Sequence, residues 1–172
     1  MRIVYFISMF MILGWVFKNN LNAQSKDLTV YVAISEECPV CKNITQDLWA
    51  ISERYSERVN LVLLFPFRIS NYKTIHEFKV KYNLQKWKAV LDEDQSKSRS
   101  LGILITPEAL IMDKNGVVLY NGRVNDLYSK PGKKNHNARL NDLSDAIEAS
   151  LNGTNIKKPW PKAVGCYITF EN

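Results

Sequence analysis

The chain has 172 residues, with 23 Lys and Arg against 17 Asp and Glu, a formal charge of +6 and 46% hydrophobic residues. That length suits one domain around one core, and three cysteines are too few for a scaffold held mainly by disulfides. The basic residues are scattered apart from Lys130, Lys133 and Lys134, and aromatics do not alternate with them; this speaks against a nucleic-acid platform and for a solvated basic surface.

Ile3 to Phe17 is an apolar run with Arg2 before it and Leu21-Asn22-Ala23 after it. Residues 1–23 therefore read as a secretory signal peptide: the run is shorter than the roughly 20 residues of a spanning helix, and Ala23 suits a cleavage point. An uncleaved membrane anchor stays open as an alternative. Cleavage would remove Arg2 and Lys18 and no acid, lowering the formal charge from +6 to +4. No cysteine lies near Ala23 to carry a lipid, so the mature protein is expected to be soluble. Its expected location is periplasmic or otherwise extracytoplasmic, where disulfides persist.

Residues 24–153 are expected to form the domain. Leu28 to Ile34 and Leu61 to Phe65 are near-continuous apolar runs, as in strands buried on both faces. Between them Val40, Ile44, Leu48, Ile51 and Tyr55 recur at steps of four and three, predicting a helix with one apolar stripe. Ile75, Phe78 and Tyr82 predict a shorter second helix, and Gln85 to Ser100 carries no clear pattern. Glu108 to Met112 and Val117 to Tyr120 flank Asp113-Lys114-Asn115-Gly116, an antiparallel hairpin signal. The polar stretch Asn125 to Asn137 reads as a loop. Leu140, Leu143, Ile147 and Leu151 mark a closing helix that stops at Asn152-Gly153. Residues 154–172 form a C-terminal extension expected to pack on the domain; it contains Pro159-Trp160-Pro161 and the strand-like Val164 to Phe170.

The chemistry-bearing motif is Cys38-Pro39-Val40-Cys41, set between the first strand and the first helix. A cysteine at a helix N-terminus meets unpaired N–H groups and the positive end of the macrodipole, which favour its thiolate. Cys41, one turn on, can close a disulfide. Two other readings remain: a permanent structural staple, and half of a zinc site. Zinc needs further ligands at comparable spacing, and the chain offers only the unpaired Cys166, His76 and His136.

Strand, Cys-x-x-Cys, helix, strand and a later Thr-Pro opening a hairpin together resemble the thioredoxin fold, an α/β fold with a central mixed sheet flanked by helices. Four blocks carry the similarity further: Ser35 to Lys42, Ile105-Thr106-Pro107-Glu108, Tyr120 to Asp126, and Val164-Gly165-Cys166-Tyr167-Ile168. They resemble blocks of exported redoxin-type proteins related to the AhpC/TSA and TlpA-like thiol-disulfide oxidoreductases, and they span nearly the whole mature chain. The resemblance implies that Cys38 is the attacking thiol, that Cys41 resolves, and that Pro107 is cis. It also implies that the backbone of Thr106 holds a partner polypeptide in extended form. Protein or small-molecule disulfides and dithiols are the partners it implies, with a membrane-bound electron donor as one source of electrons, no cofactor, and a monomeric state. Two departures stand out. Glu37 stands where the usual aromatic precedes the first cysteine, with Glu36 beside it, and the two carboxylates should raise the pKa of Cys38 while the helix end and Lys42 lower it. The long span from Cys41 to Thr106 suggests a strand-helix insertion at residues 66–100.

The leading expectation is an enzyme that exchanges disulfides through Cys38 and Cys41. A peroxiredoxin-like peroxidase is an alternative, but its Pro-x-x-x-Thr-x-x-Cys pattern is missing around Cys38. A copper-handling metallochaperone is another, with His136 as the distant imidazole ligand beside the two cysteines. His76 has no assigned role. An odd cysteine such as Cys166 can be a free thiol, an intermolecular bridge or a further redox partner; the leading expectation is a structural thiol, shielded as a small hydrophobe and raised in pKa.

Overall fold

The computed structural model describes residues 26–138 and 140–170, so the signal-peptide segment 1–23 lies outside the described residues. Five strands form the main sheet, in the spatial order β3 (Lys88–Leu91), β2 (Asn60–Phe65), β1 (Leu28–Ala33), β5 (Glu108–Asp113) and β6 (Val118–Gly122). At its centre β1 runs parallel to β2 and antiparallel to β5. β3 extends the parallel side, and β6 completes the hairpin with β5. The result is the expected mixed sheet flanked by helices.

Strand alternation divides the core. Val30, Val32, Leu61, Leu63, Phe65, Ala109 and Ile111 join a large cluster with residues of the helices, whereas Ala33, Val62, Leu64 and Leu110 join Ile103 and Ile168 in a smaller one. Successive side chains of a strand point to opposite faces, so the two clusters lie on the two sides of the sheet.

The helix expected from Val40 to Tyr55 is two helices, α1 (Pro39–Asn43) and α2 (Thr45–Tyr55), joined at Ile44 with φ −97° and ψ 3°. The break leaves the stripe intact: Ile44, Leu48, Ile51 and Tyr55 are all buried. α3 (Tyr72–Lys81) begins at a reciprocal cap, in which the Asn71 side chain accepts from the Lys73 and Thr74 N–H groups and Thr74 Oγ1 accepts from the Asn71 N–H. The unpatterned stretch Gln85 to Ser100 provides β3 and most of α4 (Ser96–Leu101). No residue of β3 is fully buried, and α4 buries only Ser98, so neither prints an apolar period. The buried Asp92 carboxylate holds α4 in place by accepting from Lys97 N, Ser98 N and Ser98 Oγ at 2.9, 2.8 and 2.6 Å. Residues 66–100, where a strand-helix insertion is expected, carry a helix, a strand and nearly all of a second helix: α3, β3 and α4.

A short strand, β4 (Ile105–Thr106), precedes β5. The 125–137 stretch, expected to be a loop, contains a small ribbon of β7 (Tyr128–Lys130) and β8 (Lys133–Lys134), turning at Pro131-Gly132 with Gly132 at φ +73°. The closing helix, α5 (Asp142–Leu151), lies against β1, β5 and β6 and buries Leu143, Ala146 and Ile147; Leu140 falls before it and is exposed. In the C-terminal segment the strand is shorter than the sequence suggests: only β9 (Cys166–Tyr167) is paired, with β4. No helix of the described residues is long and apolar enough to cross a membrane.

Candidate active site

Cys38 sits at the point where the chain leaves β1 for α1. It is the N-cap residue, in extended conformation with φ −68° and ψ 118°, followed by Pro39 in the first helical turn. Proline suits that position because the N–H it lacks would have no helical partner. Cys38 is 3% exposed and Cys41 0%, and all three cysteines are free thiols.

The electrostatics separate the two cysteines. Cys38 is held down to about 5, first by a hydrogen bond with the Cys41 thiol, then by the Cys166 thiol and the backbone N–H groups of Cys41 and Val40, against the opposing effect of burial. The helix-end contribution expected from the sequence is therefore present, but a side chain outweighs it. Burial pushes the Cys41 thiol well up, as do its hydrogen bond to Cys38 and the nearby thiolate charge. The Ser35 N–H reaches Cys41 Sγ at 3.5 Å. Glu36, Glu37 and Lys42, expected to pull Cys38 in opposite directions, are not among the groups acting on it. Glu36 is turned away: its carboxylate accepts from Ser70 Oγ at 2.6 Å and Thr74 Oγ1 at 2.8 Å, tying the dithiol loop to the start of α3.

Thr106 and Pro107 stand against the dithiol. The Thr106-Pro107 bond is cis, Thr106 is fully buried, and its carbonyl oxygen lies 3.4 Å from Cys38 Sγ, within reach of a proton on that thiol. The strand edge at Thr106, which the resemblance assigns to a partner polypeptide, is paired with the chain's own β9: Thr106 lies opposite Cys166 and Ile105 opposite Tyr167.

Cys166 departs from its expected surroundings. It is half-buried rather than enclosed, and its sulfur lies 2.6 Å from Cys38 Sγ. Its thiol is raised to about 11, by burial first and then by its hydrogen bond to Cys38 and the charge there. The direction of that change is the expected one; the location is not. Apolar pattern alone argued for a packed thiol because Val164, Ile168 and Phe170 surround it in sequence. The informative signal was Gly165. A Cβ there would collide with the Thr106 carbonyl and crowd the Pro107 ring, so only glycine lets this strand approach.

His136, the copper candidate, is exposed beyond β8, and His76 is exposed on α3. Among the described residues, no group of three or more His, Cys, Asp or Glu is arranged to hold a metal ion.

No protein-family model and no curated protein sequence matches this chain. Solved structures do. A hypothetical protein from Sinorhizobium meliloti 1021 is 20% identical, with a TM-score of 0.74 over 87% of this chain and 82% of that one. An uncharacterized conserved protein from Geobacillus kaustophilus is 18% identical, with a TM-score of 0.73 over 85% and 78%. A secreted Mycobacterium tuberculosis disulfide oxidoreductase, described as homologous to E. coli DsbE, is 16% identical, with a TM-score of 0.55 over 72% and 82%. The fold of this chain is thioredoxin-like.

Proposed function

We propose that this protein is an exported thiol-disulfide oxidoreductase in which Cys38 attacks and Cys41 resolves. The observation that carries this reading is the unequal pair itself: Cys38, held down to about 5, is a thiolate at neutral pH, while its buried neighbour Cys41 keeps its proton. A staple cysteine has no need of such asymmetry. A thiolate that accepts hydrogen bonds at a helix N-terminus is the form in which sulfur acts as a nucleophile.

In the reductive direction, Cys38 Sγ attacks one sulfur of a substrate disulfide, and the other substrate sulfur leaves as a thiolate. Cys38 then carries no charge. Two of the causes that raise Cys41, its hydrogen bond to the Cys38 thiolate and the charge there, disappear with it. Cys41 can now lose its proton and attack Cys38 Sγ; the second substrate sulfur departs, leaving a Cys38–Cys41 disulfide and a reduced substrate. The oxidative direction runs the same steps backwards. Thr106 and Pro107 border the reacting sulfur and would position an extended partner. The partners are protein or small-molecule disulfides and dithiols, with a membrane-bound donor as the electron source in the reductive direction. The apolar segment Ile3 to Phe17 supports an extracytoplasmic location.

Trapping tests the roles. The double variant Cys41→Ser/Cys166→Ser, mixed with a synthetic peptide carrying an internal disulfide, should accumulate a mixed disulfide at Cys38, read by mass under non-reducing conditions. Cys38→Ser should accumulate none. Absence of adduct from the folded double variant overturns the proposal.

A further inference from the structure

We propose that the C-terminal strand is a built-in substrate: Val164 to Ile168 occupies the partner position beside Thr106, and Cys166 is a third redox group that forms a disulfide with Cys38. This rests on the reading that Cys38 exchanges disulfides.

Three independent features point to it. The first is register. β9 runs antiparallel to β4 with Cys166 directly opposite Thr106; the Ile168 N–H donating to the Leu104 carbonyl at 2.9 Å extends the pairing by one residue, and within it Thr106 Oγ1 donates to the Cys166 carbonyl at 3.3 Å. An extended peptide bound to a free strand edge makes this kind of main-chain contact. The second is the sulfur geometry, with Cys166 Sγ 2.6 Å from Cys38 Sγ. The third is Gly165, whose missing side chain is the condition for the approach to Thr106 and Pro107.

The strand is anchored at both ends. Upstream, the Trp160 ring packs on Tyr120 at 6.1 Å, and the Arg123 N–H donates to the Pro161 carbonyl at 3.0 Å. Downstream, Ile168 is 6% exposed in the smaller core cluster, and Gln95 Nε2 donates to the carbonyls of Thr169 and Pro66, both at 3.0 Å. Cys166 is thereby presented to Cys38 without a diffusional encounter. Tyr167, 73% exposed, points away from the core.

The exchange balances within the oxidised protein. Cys166 loses its proton and its sulfur attacks Cys38 Sγ of the Cys38–Cys41 disulfide. The Cys38–Cys166 bond forms, the Cys38–Cys41 bond breaks, and Cys41 leaves as a thiolate that takes up a proton. One disulfide and one thiol exist before and after, so no outside oxidant enters the step. While β9 is docked, a partner polypeptide cannot pair at Thr106, and reaction with partners requires the strand to shift.

The experiment uses the mature chain equilibrated with reduced and oxidised glutathione, quenched by acid and alkylation, and mapped by peptide mass. Wild-type protein should give both Cys38–Cys41 and Cys38–Cys166 peptides. Cys41→Ser should close an intramolecular Cys38–Cys166 disulfide rather than remain as a glutathione adduct. If β9 is docked in about nine molecules of ten, Gly165→Val, which pushes the strand away from Thr106, should react with a peptide disulfide up to about tenfold faster than wild type, since only the open fraction is competent, and should deplete the Cys38–Cys166 peptide; Cys166→Ser, which leaves the strand's anchors in place, should not reproduce that gain. The proposal is overturned if wild type and Cys41→Ser yield no Cys38–Cys166 peptide, or if Gly165→Val leaves the rate unchanged. Failure of the oxidoreductase reading looks different: Cys41→Ser/Cys166→Ser would form no mixed disulfide with any disulfide offered.

Discussion

Replacing Cys41 by alanine should raise the pKa of Cys38 even though no charge is removed. The Cys41 thiol is the largest influence holding Cys38 down from 9.0 to about 5, ahead of the Cys166 thiol and the backbone N–H groups. A hydrogen bond to a charged group contributes about 1.5–3 kcal/mol, and one pKa unit corresponds to about 1.4 kcal/mol, so losing this bond should move Cys38 from about 5 to roughly 6–7. The comparison is made in a Cys166→Ala background, where loss of the Cys166 hydrogen bond starts both proteins somewhat above about 5 and the further rise on removing Cys41 is what is read, with Cys38 the only titrating thiol in the double variant; it follows the thiolate by ultraviolet absorbance and by the pH dependence of iodoacetamide alkylation. The sign extends to stability. A thiol whose folded value lies below its unfolded value stabilises the reduced protein fully above about 9, and that contribution is lost as pH falls through about 5. Denaturant unfolding of the reduced Cys166→Ala protein should therefore weaken as pH falls across that window, with a smaller decline in Cys41→Ala/Cys166→Ala. An unchanged or lower Cys38 pKa in the double variant would refute the assignment of the Cys41 hydrogen bond as the main cause.

A thiolate stabilised in the reduced form makes the disulfide more oxidising. At pH 7 the difference between a nucleophile at about 5 and the value near 7 of thioredoxin is about 2.3 kcal/mol, or roughly 50 mV, which places the Cys38–Cys41 couple near −220 mV rather than about −270 mV; equilibration of Cys166→Ser in glutathione buffers reads it, and a potential at or below that of thioredoxin would contradict the argument. Asp92→Ala should destabilise the fold by about 2–3 kcal/mol, because two backbone N–H groups and the buried Ser98 hydroxyl lose their acceptor. Urea unfolding measures that loss, and alkylation of Cys38 should keep its wild-type pH profile, since Asp92 is not among the groups that act on Cys38.

What the sequence made legible follows the size of the apolar signal. β1 and β2 are buried runs, and the α1–α2 stripe keeps its period across the break at Ile44 because Ile44 itself stays in the core. The hairpin was legible from Asp113 to Gly116, where the Asp113 carboxylate accepts from the Asn115 and Val117 N–H groups and Gly116 takes φ +83°. β3 and α4 were not, since their places are set by edge pairing and by the Asp92 cap rather than by hydrophobic period. The contest expected around Cys38 failed for a similar reason: nearness in sequence put Glu36 and Glu37 beside the sulfur, but Ser70 and Thr74 draw the Glu36 carboxylate toward α3.

Cys166 shows where a one-dimensional reading stops. Its neighbours Val164 and Ile168 have the composition of a packed strand, and Ile168 does pack. Strand alternation puts Cys166 on the same side as Ile168, but the side alone does not say which groups a residue meets there. Here the short ladder with β4 settles where Cys166 goes, through the pairing Thr106↔Cys166. That pairing depends on a contact spanning 60 residues in sequence, which no local period can encode. The trace it leaves is steric: a glycine beside the cysteine, required because the Thr106 carbonyl and the Pro107 ring fill the space a side chain would take. A lone cysteine preceded by such a glycine is therefore better read as a strand built for close approach to another backbone than as a small hydrophobe in a core.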